Sequence, residues 1–204
     1  MRRDGTGGVT RGELGGHERA DGGVDESGAT WIFGYGSLIW KPGFPFAERR
    51  RAVLAGYARS FCMTSVHYRG TPERPGLVLA LDREAASSCE GVAYRLAAET
   101  EAASLAYVRE RELVSYAYDE ALLPLTLEDG REVRAVSYVV NRTHDQYRGG
   151  LDLDQQAEII AAAVGPMGPN ADYLALTVAA LAEIGVRDAA LDRLAQKVLA
   201  RLGG

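Results

Sequence analysis

Two short stretches of the sequence combine residue types that could do chemistry. The first is Tyr35-Gly36-Ser37-Leu38, inside the apolar run IFGYGSLIW. Glycines weaken a strand, because they cost backbone entropy and pack nothing. In a turn that Gly36 permits without a Cβ clash, the amides of Gly36, Ser37 and Leu38 could point into a pocket beside Tyr35. Such fixed donors suit a carboxylate or a developing oxyanion, whereas a strand bulge is the purely structural alternative.

Two familiar motifs fit this stretch poorly. Gly34 and Gly36 begin a dinucleotide-binding fingerprint, but Ile39 stands where the third glycine belongs, and a lone Gly-x-Gly is weak evidence. Ser37 also lacks the G-x-S-x-G frame of a nucleophile elbow. The stretch therefore needs a catalytic partner from elsewhere in the chain.

The second stretch, EAASLAYVRERELVSY, offers that partner. Counting from Leu105, Val108 follows at i+3 and Glu112 at i+7, so the three share one side of a helix. Glu110 falls about 140° from Leu105 and points away from that side. A carboxylate at Glu112 should lose solvation, which raises its pKa and suits a general base near neutral pH.

Structural alternatives exist for the same acids. A charged helix face is often simply solvated. Arg109 lies close to the stripe that carries Glu112, so the two could form a buried structural salt bridge that opposes the rise in pKa.

The elements that position these residues read as an α+β fold, because strands come first and helices gather later. The predicted strands are Trp31–Tyr35, Arg51–Thr64 (broken), Leu77–Asp82, Gly91–Leu96, Leu122–Leu127 and Val133–Asn141. Asp129-Gly130 is a strong hairpin signal between the last two. The predicted helices are Thr100–Val114, Asp152–Val164, Ala171–Ile184 with Asn170 as its cap, and Asp188–Leu202.

Length and composition favour one globular domain over residues 30–204, preceded by a disordered tail over residues 1–29. The tail holds nine of the 24 glycines and almost no large apolar side chain, so it cannot bury enough surface to offset its ordering entropy. A net charge of −5 argues against nucleic-acid and anionic-membrane partners. Two isolated cysteines, Cys62 and Cys89, fit a reducing cytoplasm, and no apolar run is long enough to span a bilayer.

Five spaced motifs together resemble one family. They are FGYGSLIW, HYRGTPERPGLVLAL, GVAYRL, YVRERELVSY and GPMGPNADYL, in this order. From Trp31 to the helices after Asn170 the chain is similar to the ChaC-type γ-glutamylcyclotransferases. It departs at Leu113-Val114-Ser115, where the family's helix motif continues with a lysine and a glycine before the tyrosine. This difference is expected to affect substrate preference at the pocket rim.

The resemblance implies a compact mixed β-barrel with surrounding helices. It implies an enzyme that acts on glutathione and releases 5-oxoproline and cysteinylglycine without a metal or organic cofactor. The family's catalytic glutamate corresponds to Glu112, and its substrate loop to Tyr35-Gly36-Ser37-Leu38. The site residues expected here are thus Glu112 as general acid and base and the loop as the γ-glutamyl binding element.

Three further residues are candidate substrate contacts. Arg69 could meet the glycine carboxylate of glutathione, although a surface arginine in a turn is an equal alternative. The Tyr173 hydroxyl could reach the pocket, or the ring could simply pack on the barrel, and Ser65 is a similar case. His67 and His144 lack a carboxylate or cysteine at ligand spacing, so no metal site is expected.

Three rival functions stay open at the level of sequence. One is a cyclotransferase for other γ-glutamyl amines, and another is a non-catalytic module that binds γ-glutamyl compounds. The third is a nucleotide-binding oxidoreductase, which rests only on Gly34 and Gly36. Nothing in the sequence suggests an extensive exposed apolar face, so a monomer is expected.

Overall fold

The computed structural model describes residues 28–203 of the 204-residue chain. Of the tail predicted over residues 1–29, only Gly28 and Ala29 fall within that range, so its disorder stays a prediction, as does the domain boundary at residue 30. Among residues 28–203, no helix combines the length and the hydropathy that crossing a membrane requires.

Five strands close into a barrel. They are β1 (Trp31–Gly34), β2 (Phe46–Ser65), β3 (Gly76–Leu96), β4 (Tyr118–Leu127) and β5 (Glu132–Val140), in the order β1-β3-β2-β4-β5. Neighbours within that order pair antiparallel, while β5 closes the barrel by pairing parallel to β1. The sheet is therefore mixed, and the prediction of a mixed barrel in an α+β fold is confirmed.

The prediction for the two longest strands was wrong in its boundaries. The segments expected as Leu77–Asp82 and Gly91–Leu96 belong to one continuous strand, β3, and β2 begins at Phe46 and runs unbroken. The middle of β3, residues 83–86, is exposed, so it lacks the apolar alternation that marks a strand in sequence. On either side of this part, Arg83 pairs with Tyr57 and Ser88 pairs with Ala55 of β2, and the register shifts between these two pairs.

Four helices follow the prediction closely. They are α1 (Glu101–Glu112), α2 (Leu153–Ala162), α3 (Asn170–Glu183) and α4 (Ala189–Leu202), with short 3₁₀ turns at Ser37–Ile39 and Ala98–Thr100. Asp152 and Asp188 cap α2 and α4 through their side chains. A two-stranded hairpin of β6 (Val164–Gly165) and β7 (Gly168–Pro169) joins α2 to α3.

Asn170 does not cap α3, contrary to the sequence prediction. It is the first residue of the helix, and its buried side chain reaches across to β3 instead. Its Oδ1 accepts a hydrogen bond from the Leu77 amide and its Nδ2 donates to the Leu77 carbonyl, both at 2.7 Å. The helix is thus tied to the start of β3 by a side chain that mimics a strand partner.

Side chains on the two faces of the barrel wall enter different apolar clusters. Along β1, Trp31 and Phe33 point into the barrel with Leu54 and Leu125, whereas Ile32 points outward toward the helices. This follows from the alternation of side chains along a strand. The outer cluster includes side chains from all four helices, and it fixes α1 and α3 against the barrel.

Candidate active site

A cavity of about 350 Å³ opens where the end of α1, the 3₁₀ turn after β1, the β2–β3 loop and the start of α3 meet. Pockets that bind small molecules commonly begin at about 300 Å³. Five of the eight site residues expected from sequence line it, namely Ser37, Ser65, Arg69, Glu112 and Tyr173. The structure therefore brings together segments that are far apart in the chain.

Glu112 is the last residue of α1 and faces this cavity. Its side chain keeps 18% of its surface accessible, while the neighbouring acid Glu110 is exposed to solvent. Burial raises the pKa of the Glu112 carboxyl above its ordinary value, and the charge of Arg111 opposes that rise. The negative end of the helix dipole further disfavours a carboxylate at this position.

Arg111 connects the acid to the glycine turn. Its Nε lies 3.3 Å from Oε1 of Glu112, and its Nη2 donates to the Ser37 hydroxyl at 2.6 Å. Its Nη1 donates to the Lys41 carbonyl at 2.6 Å. One guanidinium thereby holds the end of α1 and the 3₁₀ turn at a fixed separation.

The alternative ion pair between Arg109 and Glu112 is wrong. Arg109 instead forms a two-pronged pair with Glu120 on β4, with both N–O distances at 2.8 Å. The periodicity of an isolated helix could not reveal this, because the pairing depends on which strand packs beside α1.

The backbone of the glycine turn offers unpaired donors. Among residues 28–203, the amide N–H groups of Gly36, Ser37 and Leu38 donate to no acceptor in the protein, and Gly36 is buried. Buried amides are nearly always paired. Three consecutive free amides in a turn whose Ser37 lines the cavity therefore indicate a ligand-binding element.

Gly36 is not required by a left-handed backbone. Its φ is −134°, so the left-handed conformation that favours glycine is not the reason for a glycine at this position. A Cβ at this position would lie 3.4 Å from the Tyr173 hydroxyl. The glycine instead keeps the space between the turn and Tyr173 open.

The side chains of Tyr35 and Leu38 do not line the cavity. The Tyr35 hydroxyl is buried and donates to the Tyr138 carbonyl at 2.9 Å. Leu38 packs in the outer apolar cluster, and its carbonyl accepts from the Tyr94 hydroxyl. These two residues anchor the turn, which reaches the cavity through Ser37.

Ser65 and Arg69 belong to the β2–β3 connection. The Ser65 hydroxyl accepts a hydrogen bond from the Arg69 amide at 3.1 Å. The Arg69 guanidinium donates to the Pro169 carbonyl and lies 5.8 Å from the centre of the Tyr173 ring. Arg69 uses few of its five donors in these contacts, which leaves the others for a ligand in the cavity.

Tyrosine hydroxyls surround the cavity beside Glu112. Burial raises the pKa of both Tyr118 and Tyr173 above the ordinary value, and the Glu112 charge adds to this rise. Tyr118 donates to the Leu79 carbonyl at 3.0 Å. Both phenols therefore stay protonated at neutral pH and serve as hydrogen-bond donors.

Several lining residues escaped the sequence analysis, namely Arg111, Tyr118 and Gln146. Arg111 adjoins Glu112 in sequence, and that adjacency was the available signal. Tyr118 precedes the strand as it was predicted, and Gln146 lies in a loop, so neither carried a readable pattern. His67, for which the sequence analysis predicted no substrate contact, is exposed and also lines the cavity.

The two cysteines do not take part in the cavity. Both are buried and unpaired, and burial raises the pKa of Cys62 to about 12 and of Cys89 to about 11. Neither thiol is activated as a nucleophile. Within residues 28–203, no group of three or more His, Cys, Asp or Glu side chains is arranged to hold a metal ion.

Known proteins are similar to this chain in sequence and in fold. The family described as ChaC-like protein matches residues 30–201. The chain is 38% identical over 169 residues to the glutathione-specific gamma-glutamylcyclotransferase of Escherichia coli (strain K12), covering 83% of this chain and 72% of the relative. It is 33% identical to the glutathione-specific gamma-glutamylcyclotransferase 1 of Homo sapiens, covering 72% of this chain and 67% of that protein.

A solved structure agrees in fold. The crystal structure of a selenomethionine-labelled γ-glutamyl cyclotransferase specific to glutathione from yeast aligns with a TM-score of 0.77 at 25% identity. The alignment covers 84% of this chain and 96% of the yeast chain. With the family match over residues 30–201, these likenesses establish that the chain belongs to the family of ChaC-like proteins.

Proposed function

We propose that this protein is an enzyme that cleaves glutathione to 5-oxoproline and cysteinylglycine. The observation that carries the proposal is the placement of Glu112, whose partly buried carboxyl faces a cavity next to the free amides of a glycine turn. The names of the E. coli and human relatives support the same activity.

The nucleophile in this reaction belongs to the substrate. The free α-amine of the γ-glutamyl group attacks its own side-chain carbonyl, which forms a five-membered ring and breaks the amide bond to cysteine. An intramolecular attack gains greatly when one reactive conformer is held in place. The protein therefore needs no serine or cysteine nucleophile, which agrees with the two inert thiols.

Glu112 moves the protons. The substrate amine is largely protonated near pH 7, so the carboxylate first removes a proton from it, which frees the nitrogen lone pair for attack. The nitrogen loses its second proton to solvent as the lactam forms. The same carboxyl then returns a proton to the nitrogen of departing cysteinylglycine. A general acid and base works best when its pKa lies near the operating pH. The pKa of Glu112 is raised, so it lies closer to neutral pH than that of an ordinary glutamate.

The glycine turn stabilises the developing charge. The free N–H groups at Gly36, Ser37 and Leu38 supply donors for the oxygen of the attacked carbonyl, and such preorganised donors act most strongly where water is excluded. The Tyr173 hydroxyl lies close to Gly36. It therefore faces the substrate from the same side as the glycine turn.

The charges of the cavity complement glutathione, which carries two carboxylates at neutral pH. Lys41, Arg69 and Arg111 line the cavity, against Glu112 as the carboxylate. Arg69 lies on the β2–β3 connection rather than on α1, with donors left over, so we assign it to the glycine carboxylate. Ser65 holds the backbone of Arg69 and acts through that loop.

The decisive experiment measures 5-oxoproline and cysteinylglycine released from millimolar glutathione by the purified protein. We expect turnover by the wild type and a loss of about 10²–10⁴-fold in Glu112→Gln, the range associated with general acid–base catalysis. Glu110→Gln is the matched control, because it makes the same change two residues earlier on α1, at a side chain that is exposed to solvent. This variant should keep wild-type activity.

Two outcomes would contradict the proposal. If Glu112→Gln still releases 5-oxoproline at the wild-type rate, Glu112 is not the general acid and base. Binding of glutathione without turnover by the wild type would favour a binding module.

A parallel assay with γ-glutamyl-alanine tests the substrate preference, and faster release of 5-oxoproline from that compound than from glutathione would favour a cyclotransferase for other γ-glutamyl amines.

We further propose that the enzyme acts as a monomer in the cytoplasm. The two unpaired buried cysteines fit a reducing compartment. Size-exclusion chromatography with light scattering would test the assembly state, and a mass near twice 21.9 kDa would contradict it.

A further inference from the structure

Arg59 is a buried cation that lies outside the cavity. Its side chain on β2 is only 3% exposed. The guanidinium donates from Nη1 to the Tyr35 carbonyl at 2.6 Å, from Nη2 to the Glu90 carbonyl at 2.9 Å, and from Nε to Oδ2 of Asp188 at 3.3 Å. A buried charge is costly unless it is paired and hydrogen-bonded, and here acceptors from three separate segments surround it.

The contact with Tyr35 fixes the direction of one peptide group. Peptide bonds in residues 28–203 are all trans, and in a planar trans peptide the C=O and the following N–H point in opposite directions. Because the Tyr35 carbonyl points at Arg59, the Gly36 N–H points away from Arg59. The Tyr35 hydroxyl is fixed at its other end by the Tyr138 carbonyl, so the residue is held from both sides.

We propose that Arg59 is a positioning residue that aims the Gly36 amide at the reacting carbonyl of the substrate. The inference rests on the proposed function, in which the amides of the glycine turn stabilise the oxyanion. Such donors contribute because their orientation is set before the reaction begins. Without the guanidinium, the Tyr35–Gly36 peptide loses this charged anchor and is free to rotate its carbonyl toward the cavity.

A purely structural role makes a different prediction. Asp188 caps α4 through the amides of Ala190 and Leu191 while it pairs with Arg59. If Arg59 served only to attach α4 to the barrel, then weakening the pair from either side would reduce activity in parallel with stability. If Arg59 orients Gly36, only the change on the arginine side should affect the chemical step.

The experiment compares Arg59→Met and Arg59→Lys with Asp188→Asn. Asparagine caps helices as well as aspartate does, so this control removes the charge opposite Arg59 and leaves the Tyr35 contact in place. In steady-state assays with glutathione, we expect Arg59→Met to lower kcat about tenfold or more while KM changes less than about threefold. Asp188→Asn should keep kcat within about twofold of the wild type at a temperature where both are folded.

A spectroscopic readout tests the orientation directly. In ¹⁵N-labelled protein, addition of 5-oxoproline should shift the Gly36 amide resonance in the wild type and in Asp188→Asn. The shift should be lost or much reduced in Arg59→Met. A defect confined to helix attachment would leave the response of the Gly36 amide unchanged.

The outcomes separate the two proposals. A wild type that releases no 5-oxoproline from glutathione contradicts the proposed function, and the role of Arg59 falls with it. An active wild type with unchanged kcat in Arg59→Met, or with an equal loss of kcat in Asp188→Asn, overturns the inference alone. Should Arg59→Met fail to fold, Arg59→Lys decides, because an ammonium does not reproduce the planar fork of donors with which the guanidinium reaches its three acceptors; wild-type kcat in that variant overturns the inference.

Discussion

Arg111 and Glu112, adjacent at the end of α1, form an ion pair with 3.3 Å between Nε and Oε1. The same guanidinium donates to the Ser37 hydroxyl and to the Lys41 carbonyl. The proposed general base and the proposed oxyanion-binding turn are therefore linked through one side chain. The charge of Arg111 opposes the rise that burial causes in the pKa of Glu112, so this arginine affects that pKa as well as the position of the acid.

Replacing Arg111 should shift the pH dependence of the enzyme. The positive charge of Arg111 lowers the pKa of Glu112, so Arg111→Met should raise that pKa. A general base works only when it is deprotonated, and the acidic limb of kcat/KM against pH should therefore move to higher pH. The measurement is the rate of 5-oxoproline release across pH at low glutathione concentration.

Arg109→Met is the matched control for that experiment. It removes the same charge two residues earlier, but Arg109 pairs with Glu120 on β4 and does not contribute to the pKa of Glu112. Its acidic limb should stay where the wild type has it. Equal shifts in both variants would show that only net charge matters, and a shift to lower pH in Arg111→Met would contradict the tuning.

Glu112→Gln should change how stability depends on pH. Because the folded-state pKa of Glu112 is raised, the folded wild type binds more protons than the unfolded chain between the unfolded pKa and the folded pKa. Its free energy of unfolding therefore falls as pH rises through that window. The glutamine variant lacks this loss, so its stability relative to the wild type should increase from pH 4 to pH 7.

Urea unfolding at the two pH values measures this difference. Glu110→Gln again serves as the control, since Glu110 is exposed and its relative stability should vary little between pH 4 and pH 7. If the stability of Glu112→Gln relative to the wild type instead falls from pH 4 to pH 7, the surroundings of Glu112 favour its carboxylate, and the raised pKa on which the mechanism relies is contradicted.

Gly36→Ala should separate activity from stability. The added methyl group would lie 3.4 Å from the Tyr173 hydroxyl and 3.8 Å from Cβ of Leu79, which are ordinary contact distances. The fold should tolerate it with little change in Tm. The methyl group occupies space beside the free amides, and displacement of the substrate there should lower kcat/KM by about 10–10²-fold.

Thermal unfolding and steady-state kinetics on the same preparation check this prediction. Gly34→Ala provides the contrast, because its Cβ would lie 3.0 Å from Cβ of Leu38 inside the packed core. That variant should show the larger drop in Tm. If Gly36→Ala keeps the wild-type kcat/KM, the substrate does not bind next to this turn.

Asn170→Ala should destabilise the fold strongly. It leaves the amide and the carbonyl of Leu77 unpaired in a buried site, and each unsatisfied group costs about 1–3 kcal/mol. The free energy of unfolding should therefore fall by about 2–5 kcal/mol in urea titrations. Asn141→Ala is the control, since that side chain accepts hydrogen bonds from Thr143 near the surface; an equal loss in both would contradict the role of Asn170.

The sequence by itself determined the features that depend on local patterns. The hairpin at Asp129-Gly130, where Gly130 has a φ of 86°, follows from turn chemistry. The choice of Glu112 over Glu110 follows from helical periodicity, because a 3.6-residue repeat fixes which side chains share a face. Neither requires knowledge of what packs against the element.

Only the tertiary structure decided which distant groups meet. Arg111 rather than Arg109 pairs with Glu112, because β4 brings Glu120 to Arg109. Asn170 bonds to β3 rather than capping α3, and Arg59 reaches the Tyr35 carbonyl across the barrel wall. These contacts join segments separated by up to about a hundred residues, and a charged or amide side chain carries no local signal of its partner. Their identity is set by the closure of the barrel and by the helices packed around it, which only the folded chain specifies.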